Sequence, residues 1–423
     1  MNFFSRSRTG KVLGGIAVVG VSALVLAGCA GSGGNTESSG APAGDDLALK
    51  IGTALPQTGN LAFLGPPEEA GVAYAASQIN EVSAETGLTL DVVYGDSGDT
   101  DNKAYETEIP RLLGEDVSAI IGAASSGTSL QFIDQVVGAG VIQFSPANTS
   151  DAFTTYEDDG LYFRTAPSDV LQGEVLGNLI AEDGNQTLGL IVLNDSYGTG
   201  LAKYVTEAFE AAGGEVVAAP TYNTGDATFD AQISEVLAAD PDAIALITFD
   251  EVSTMLPSLF GQIPADKLYF VDGNLKNFAD AFPTGSLTGA KGTLPGLSID
   301  SIADFTGELD AFLEAEGTAP LEDYSYAAES YDATILLALA ALAAGSTDSA
   351  AMAEKLMEVS GGSGDGETCE SYAECADIIL GGGVADYDGI SGPITFDEVG
   401  DPTEASIGIY EFGEDNTYTA YMG

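Results

Sequence analysis

The residues best suited to chemistry lie between Gly122 and Ser150, in the run GAASSGTSLQFIDQVVGAGVIQFSPANTS. An apolar run, Val117 to Ile121, leads into the small loop Ala123-Ala124-Ser125-Ser126-Gly127, and a helix is expected from Thr128 to Gly138. A second apolar run, Val141 to Phe144, ends in Ser145-Pro146-Ala147-Asn148-Thr149. Two consecutive strands that each finish in a hydroxyl-rich loop make a cradle for a small anion such as a carboxylate. The first-turn N–H groups of the helix have no intrahelical acceptor and point toward it. Ser, Thr and Gly also populate ordinary strand-to-helix turns, so the pattern needs support from the rest of the chain. Gly95-Asp96-Ser97-Gly98 suggests a nucleophilic serine, but the chain has no histidine to act as its base, and a turn is expected. Asp96, Asp99 and Asp101 lack the glycine and the final glutamate of a calcium loop and read as a solvated loop. Asp386-Tyr387-Asp388-Gly389 reads as a turn. Neither a phosphate-binding loop nor a dinucleotide fingerprint is present. Neither enzymatic activity nor a cofactor is expected.

These loops must be held by strands and helices, and the chain alternates the two with little interruption. Strands are expected at Leu49–Ala54, Leu88–Tyr94 and Thr187–Leu193, and at Ala243–Phe249 and Lys267–Val271. Apolar-striped helices between them include Glu69–Val82, Asp169–Glu182 and Thr199–Ala212. Continuous apolar strands separated by helices imply parallel sheets covered on both faces. Two such sets in succession imply two doubly wound α/β domains. After Gly292 helices dominate. The segment Tyr324–Ala344 is apolar in its second half, but it carries Glu329 and Asp332 and that apolar run is short for a membrane, so it reads as a core helix.

The N-terminus points to export. Arg6, Arg8 and Lys11 precede the apolar stretch Val12 to Leu26, which closes on Leu26-Ala27-Gly28-Cys29. Residues 1–28 are read as a signal peptide with a bacterial lipobox, Cys29 as the lipidated residue, and 29–46 as a flexible tether. The chain has 12 basic and 65 acidic residues, a formal charge of −53, which excludes nucleic acid as a partner. Such a surface suits a soluble protein and a saline habitat. Cys369 and Cys375 remain as an even pair outside the membrane and are expected to form a local disulfide. With no histidine and no third free thiol, no metal site is expected.

The order of elements and several motifs together resemble the substrate-binding proteins of branched-chain amino acid ABC transporters. The resemblance runs from about Leu47 to Tyr421 and rests on Ile51-Gly52-Thr53-Ala54-Leu55-Pro56-Gln57-Thr58-Gly59, Ser125-Ser126 and Ser145-Pro146-Ala147-Asn148-Thr149. Phe163-Arg164-Thr165, Asp195-Ser196-Tyr197-Gly198 and Gly392-Pro393-Ile394-Thr395-Phe396-Asp397 add to it. It implies a type I periplasmic binding protein: two doubly wound, Rossmann-like lobes joined by a three-segment hinge that closes over a ligand. The lobes implied are 47–164 plus 292–390, and 165–291 plus 391–423. By the same resemblance Ser126 and Thr149 hold a ligand carboxylate, the Ala147 carbonyl takes its ammonium, and Ser125 and Asn148 are further ligand-binding residues. Tyr197 and Phe249 line the second lobe's side. Leu64 stands where the family often has a tyrosine. Asn274 stands near the family's acidic ammonium partner, with Asp272 as the residue able to take over. The function implied is an extracytoplasmic, membrane-anchored and monomeric receptor delivering a small ligand to an ABC permease. That ligand is a branched-chain or related amino acid or, if no acid meets the ammonium, an amide, urea-like or other small polar metabolite. A ligand sensor is the alternative role.

Overall fold

A computed structural model describes residues 46–421. The expected signal peptide, Cys29 and nearly all of the tether lie outside the described residues. Five parallel strands form the first sheet: β1 (Leu47–Ala54), β2 (Leu88–Val93), β3 (Ala119–Gly122), β4 (Ile142–Ser145) and β5 (Tyr162–Arg164), in the order β2-β1-β3-β4-β5. The second sheet holds β6 (Thr187–Leu193), β7 (Glu215–Ala218), β8 (Thr221–Tyr222), β9 (Ala243–Ile247), β10 (Leu268–Phe270) and β11 (Lys291–Pro295). A third, small sheet contains β12 (Glu367–Cys369), β13 (Ala385–Gly389) and β14 (Gly392–Pro393). The chain then returns to the second sheet as β15 (Ile407–Phe412) and β16 (Tyr418–Ala420), giving β16-β15-β11-β10-β9-β6-β7 with β8 also on β6. Strands β3 and β9 are buried at every position, because helices cover both faces of each sheet.

Each sheet has its own apolar core, and together they make the two lobes of a type I periplasmic binding fold. The helix Ala327–Ala344 lies in the first core and is almost entirely buried, so it is a core helix rather than a membrane span. Two crossings fall later in the chain than the sequence boundaries of 292 and 391. Strand β11 pairs with β10 and with β15 in the second sheet, so the chain leaves that lobe only after Pro295. Ile394 and Phe396 still belong to the first core, where the Phe396 ring lies 5.8 Å from Phe144 and 5.5 Å from Phe163. The chain rejoins the second lobe only at β15.

Two further expectations change. Asp386–Gly389 is not a turn but part of β13. The buried Tyr387 donates its hydroxyl to Asp332 at 2.7 Å, and Asp332 also accepts from the N–H groups of Ile390 and Ser391. The acidic loop after β2 is not simply solvated either. Asp99 is buried and accepts from the N–H groups of Asn60, Asp101 and Asn102, while Asp96 accepts from those of Gln57, Thr58 and Gly98. These carboxylates fix the loop that follows β1. Cys369 ends β12, Cys375 lies in the helix Tyr372–Leu380, and a disulfide joins them.

One ion pair straps the hinge. Arg164, at the end of β5, has no exposed surface and grips both Asp401 oxygens, at 2.6 and 2.7 Å. Its remaining nitrogen donates to the carbonyls of Asn148 and Ser150, at 3.3 and 2.7 Å. A buried guanidinium without partners would be costly, so carboxylate and carbonyls together hold the loop after β4 in one place.

Candidate functional site

A narrow pocket lies between the lobes, lined by Leu61, Ser126 and Ala147 from one and by Tyr197, Phe249 and Asp272 from the other.

On the first-lobe side the wall is built by the ends of β3 and β4. The helix Ser126–Gly138 opens with Ser125 as its cap, the Ser125 hydroxyl accepting from the Thr128 N–H at 3.2 Å. Ser125, Ser126 and Ala147 line the pocket. The Ser126 hydroxyl accepts weakly from the Ser150 N–H at 3.3 Å and keeps its own proton for another acceptor. The first-turn N–H groups of this helix add a positive end to the wall.

Asn148 and Thr149 are placed differently. The Asn148 amide donates to the carbonyls of Ala123 and Ala124 and accepts from the Tyr162 hydroxyl, so it ties the two loops together and does not line the pocket. The Thr149 hydroxyl is buried without a hydrogen-bond partner, beside the carboxyl of Asp169.

On the second-lobe side Asp272 is the centre. It lines the pocket and accepts from Tyr197 Oη at 2.7 Å, Gln172 Nε2 at 2.9 Å and Tyr326 Oη at 2.8 Å. Burial pushes its carboxyl above the ordinary range, and these donors pull it back. Tyr197 stacks on Phe249, ring centroids 5.3 Å apart, and both face the pocket. Gly273 completes the turn. A Cβ there would come within 2.7 Å of the Phe249 ring and 2.8 Å of the Thr248 carbonyl oxygen.

Asn274 is a correction. It is fully buried, its Oδ1 accepts from the Val271 N–H, and its Nδ2 donates to the Leu246 carbonyl and the Thr248 hydroxyl. Its side chain locks the turn that presents Asp272 and does not face the ligand space. The acid is therefore in the wall, two positions earlier than Asn274.

Three residues escaped the sequence reading. Tyr326, from the loop before the long core helix, lines the pocket. Gln172 and Asp169 sit on the helix Asp169–Glu182. Asp169 is fully buried, neither oxygen has a hydrogen-bond partner, and burial with the nearby Asp272 charge holds its carboxyl well above the ordinary range. An acid and an amide one turn apart on an otherwise apolar helix face are the signal that was available. Leu64 lines the pocket with Leu61, making its apolar end. A larger open groove of about 380 Å³ runs past Gly127, Gln131, Asp195 and Asn223. It is the rim of the same cleft, since Gly127 and Ser196 adjoin pocket residues Ser126 and Tyr197.

The fold and this interlobe pocket are those of a solute-binding receptor. Residues 48–368 match the family described as Periplasmic binding protein, and the chain belongs to that family. It is 31% identical over 190 residues to the leucine-, isoleucine-, valine-, threonine- and alanine-binding protein of Pseudomonas aeruginosa, covering 44% of this chain and 50% of that protein. The match thus spans half the length of that relative. It is 26% identical over 355 residues to the chemotactic signal transduction system substrate-binding protein BasB of Halobacterium salinarum, covering 82% of this chain and 83% of BasB. The crystal structure of the leucine-binding protein LivK of Thermotoga maritima superposes with a TM-score of 0.70 at 21% identity, covering 88% of this chain and 98% of LivK. The likeness to LivK shows the fold, and the family is one of periplasmic binding proteins.

Proposed function

We propose that the protein captures a zwitterionic amino acid with a small aliphatic side chain and delivers it to an ABC permease, held to the membrane through lipid on Cys29. The observation that carries this reading is the opposition of charges across one small pocket. Donors at the N-terminus of the helix Ser126–Gly138 face the carboxylate end, and Asp272 faces the ammonium end. Leu61, Leu64 and Phe249 enclose the side chain. Asp272 in the wall supports an amino acid over an amide or urea-like ligand.

A thermal-shift screen of the folded domain tests this. Branched-chain amino acids at about 100 times their dissociation constant should stabilise it by about 2.7 kcal/mol, read as a higher melting temperature. A shift with neutral amides and none with amino acids would refute the reading. The similarity to BasB along most of both chains supports a second role, presenting the same ligand to a chemotaxis receptor. Loss of leucine uptake in a deletion strain with chemotaxis intact supports transport. The reverse supports sensing.

A further inference from the structure

Away from the ligand-facing groups, a pair of side chains with a buried carboxylate joins the two lobes. Asn60, in the loop between β1 and the helix Gly65–Glu81, donates its amide to Glu251 Oε1 of the second lobe at 2.7 Å. Glu251 is buried, and its other oxygen accepts from the Tyr222 hydroxyl and from the Phe249 N–H, both at 3.2 Å. The backbone repeats the contact, the Asp250 N–H donating to the Asn60 carbonyl at 3.3 Å. Lys276 pairs with Asp250 and places its Nζ 5.5 Å from the centroid of the Phe63 ring.

The location gives these contacts a purpose. Asn60 directly precedes Leu61, and Glu251 binds the backbone of Phe249, so each partner adjoins an apolar wall of the pocket. Among the described residues no cation pairs with Glu251. Closure buries its carboxylate, and the Asn60 amide is the one donor that the opposite lobe supplies to it. A buried acceptor that loses a donor costs more than an average hydrogen bond contributes. The pair therefore favours the closed form only when both lobes are in place, and it does so without touching the ligand.

We propose that Asn60 and Glu251 are a positioning pair, a latch across the cleft that sets how long the ligand stays bound without selecting which ligand binds. The inference rests on the proposed amino-acid function only for the choice of L-leucine as probe. Stopped-flow association and dissociation of L-leucine are measured for Asn60→Asp, Glu251→Gln and the double variant. Asn60→Asp sets two carboxylates face to face and should raise the dissociation rate at least about 30-fold, with the association rate within about twofold. In the double variant the glutamine oxygen can still accept from Tyr222 and Phe249, while its amide donates to the new carboxylate. Donor and acceptor are exchanged, and dissociation should return to within about fivefold of wild type. A merely structural role would not show that rescue. A dissociation rate for Asn60→Asp within twofold of wild type, or a double variant no slower to release than the single, overturns the latch.

If wild-type protein binds no leucine, the amino-acid reading has failed and the latch is decided separately. Asn60→Cys with Glu251→Cys, treated with the short thiol cross-linker dibromobimane in ligand-free protein, should give the fluorescent intramolecular adduct. Folded double-cysteine protein that gives none overturns the contact. The same cross-link decides the case if Asn60→Asp does not fold.

Discussion

The first-lobe wall of the pocket offers donors and the second-lobe wall offers an acid, and the two are built over different distances along the chain. Ser125, Ser126 and Ala147 come from two consecutive strand ends, about twenty residues apart. Asp272 is held by Gln172, Tyr197 and Tyr326, from three other segments of the chain. A helix end and a serine cap are local devices that need only the right turn. A buried carboxylate needs several donors brought from elsewhere, or its desolvation is uncompensated. Cation recognition therefore demands the whole fold, whereas anion recognition demands only two loops.

The two walls should respond differently to mutation. The largest effect should follow Arg164→Met, which leaves Asp401 buried without its cation and frees the loop carrying Ala147 to Ser150. Urea unfolding should show a loss of about 3–5 kcal/mol. Next, Asp272→Asn should keep the fold and cost about 2–4 kcal/mol of leucine binding by calorimetry, since the ammonium loses its charge partner. Ser126→Ala should cost about 1–3 kcal/mol, and unchanged affinity would place the carboxylate elsewhere. Asn274→Ala should lower stability by about 1–3 kcal/mol through the amide bonds it removes. If the lock on the turn is its only role, leucine should still rank above its amide in that variant.

The smallest signal is in pH, and its sign follows from burial. Asp272 has its carboxyl raised in the folded protein. Its contribution to folding is therefore fully present below the ordinary carboxylate value and is lost as pH rises through the raised one. Ammonium binding needs the ionised form and runs the other way, weakening as pH falls through the same raised value. Melting curves with and without leucine, from about pH 4 to pH 8, should show the ligand's increment shrinking toward acid. In Asp272→Asn the increment should be small and flat.

The same division explains what the sequence made legible. Most strands and helices lie within two or three residues of their expected places, because apolar periodicity is local. The pocket-lining loops after β3 and β4 were legible for that reason too, and so were Tyr197 and Phe249 once the family resemblance was in view. The lobe boundaries were less so. Strand β11 sits where the helical pattern begins, and only its pairings, with β10 and with β15 more than a hundred residues later, show which sheet owns it. Choosing between Asp272 and Asn274 required seeing the turn, since two polar residues flanking one glycine differ only in which way each side chain points. Asp169, Gln172 and Tyr326 were illegible because their meaning depends on reaching one shared carboxylate.

The central claim is that one pocket recognises both charged ends of an amino acid. Calorimetry with L-leucine, L-leucinamide and 4-methylpentanoate tests it with a single side chain and three end-group patterns. Leucine should bind, while the amide, lacking the carboxylate, and the acid, lacking the ammonium, should each lose about 2 kcal/mol or more, roughly 30-fold in affinity. Equal or tighter binding of either analogue would contradict the claim, and which analogue does so would name the wall that had been misread.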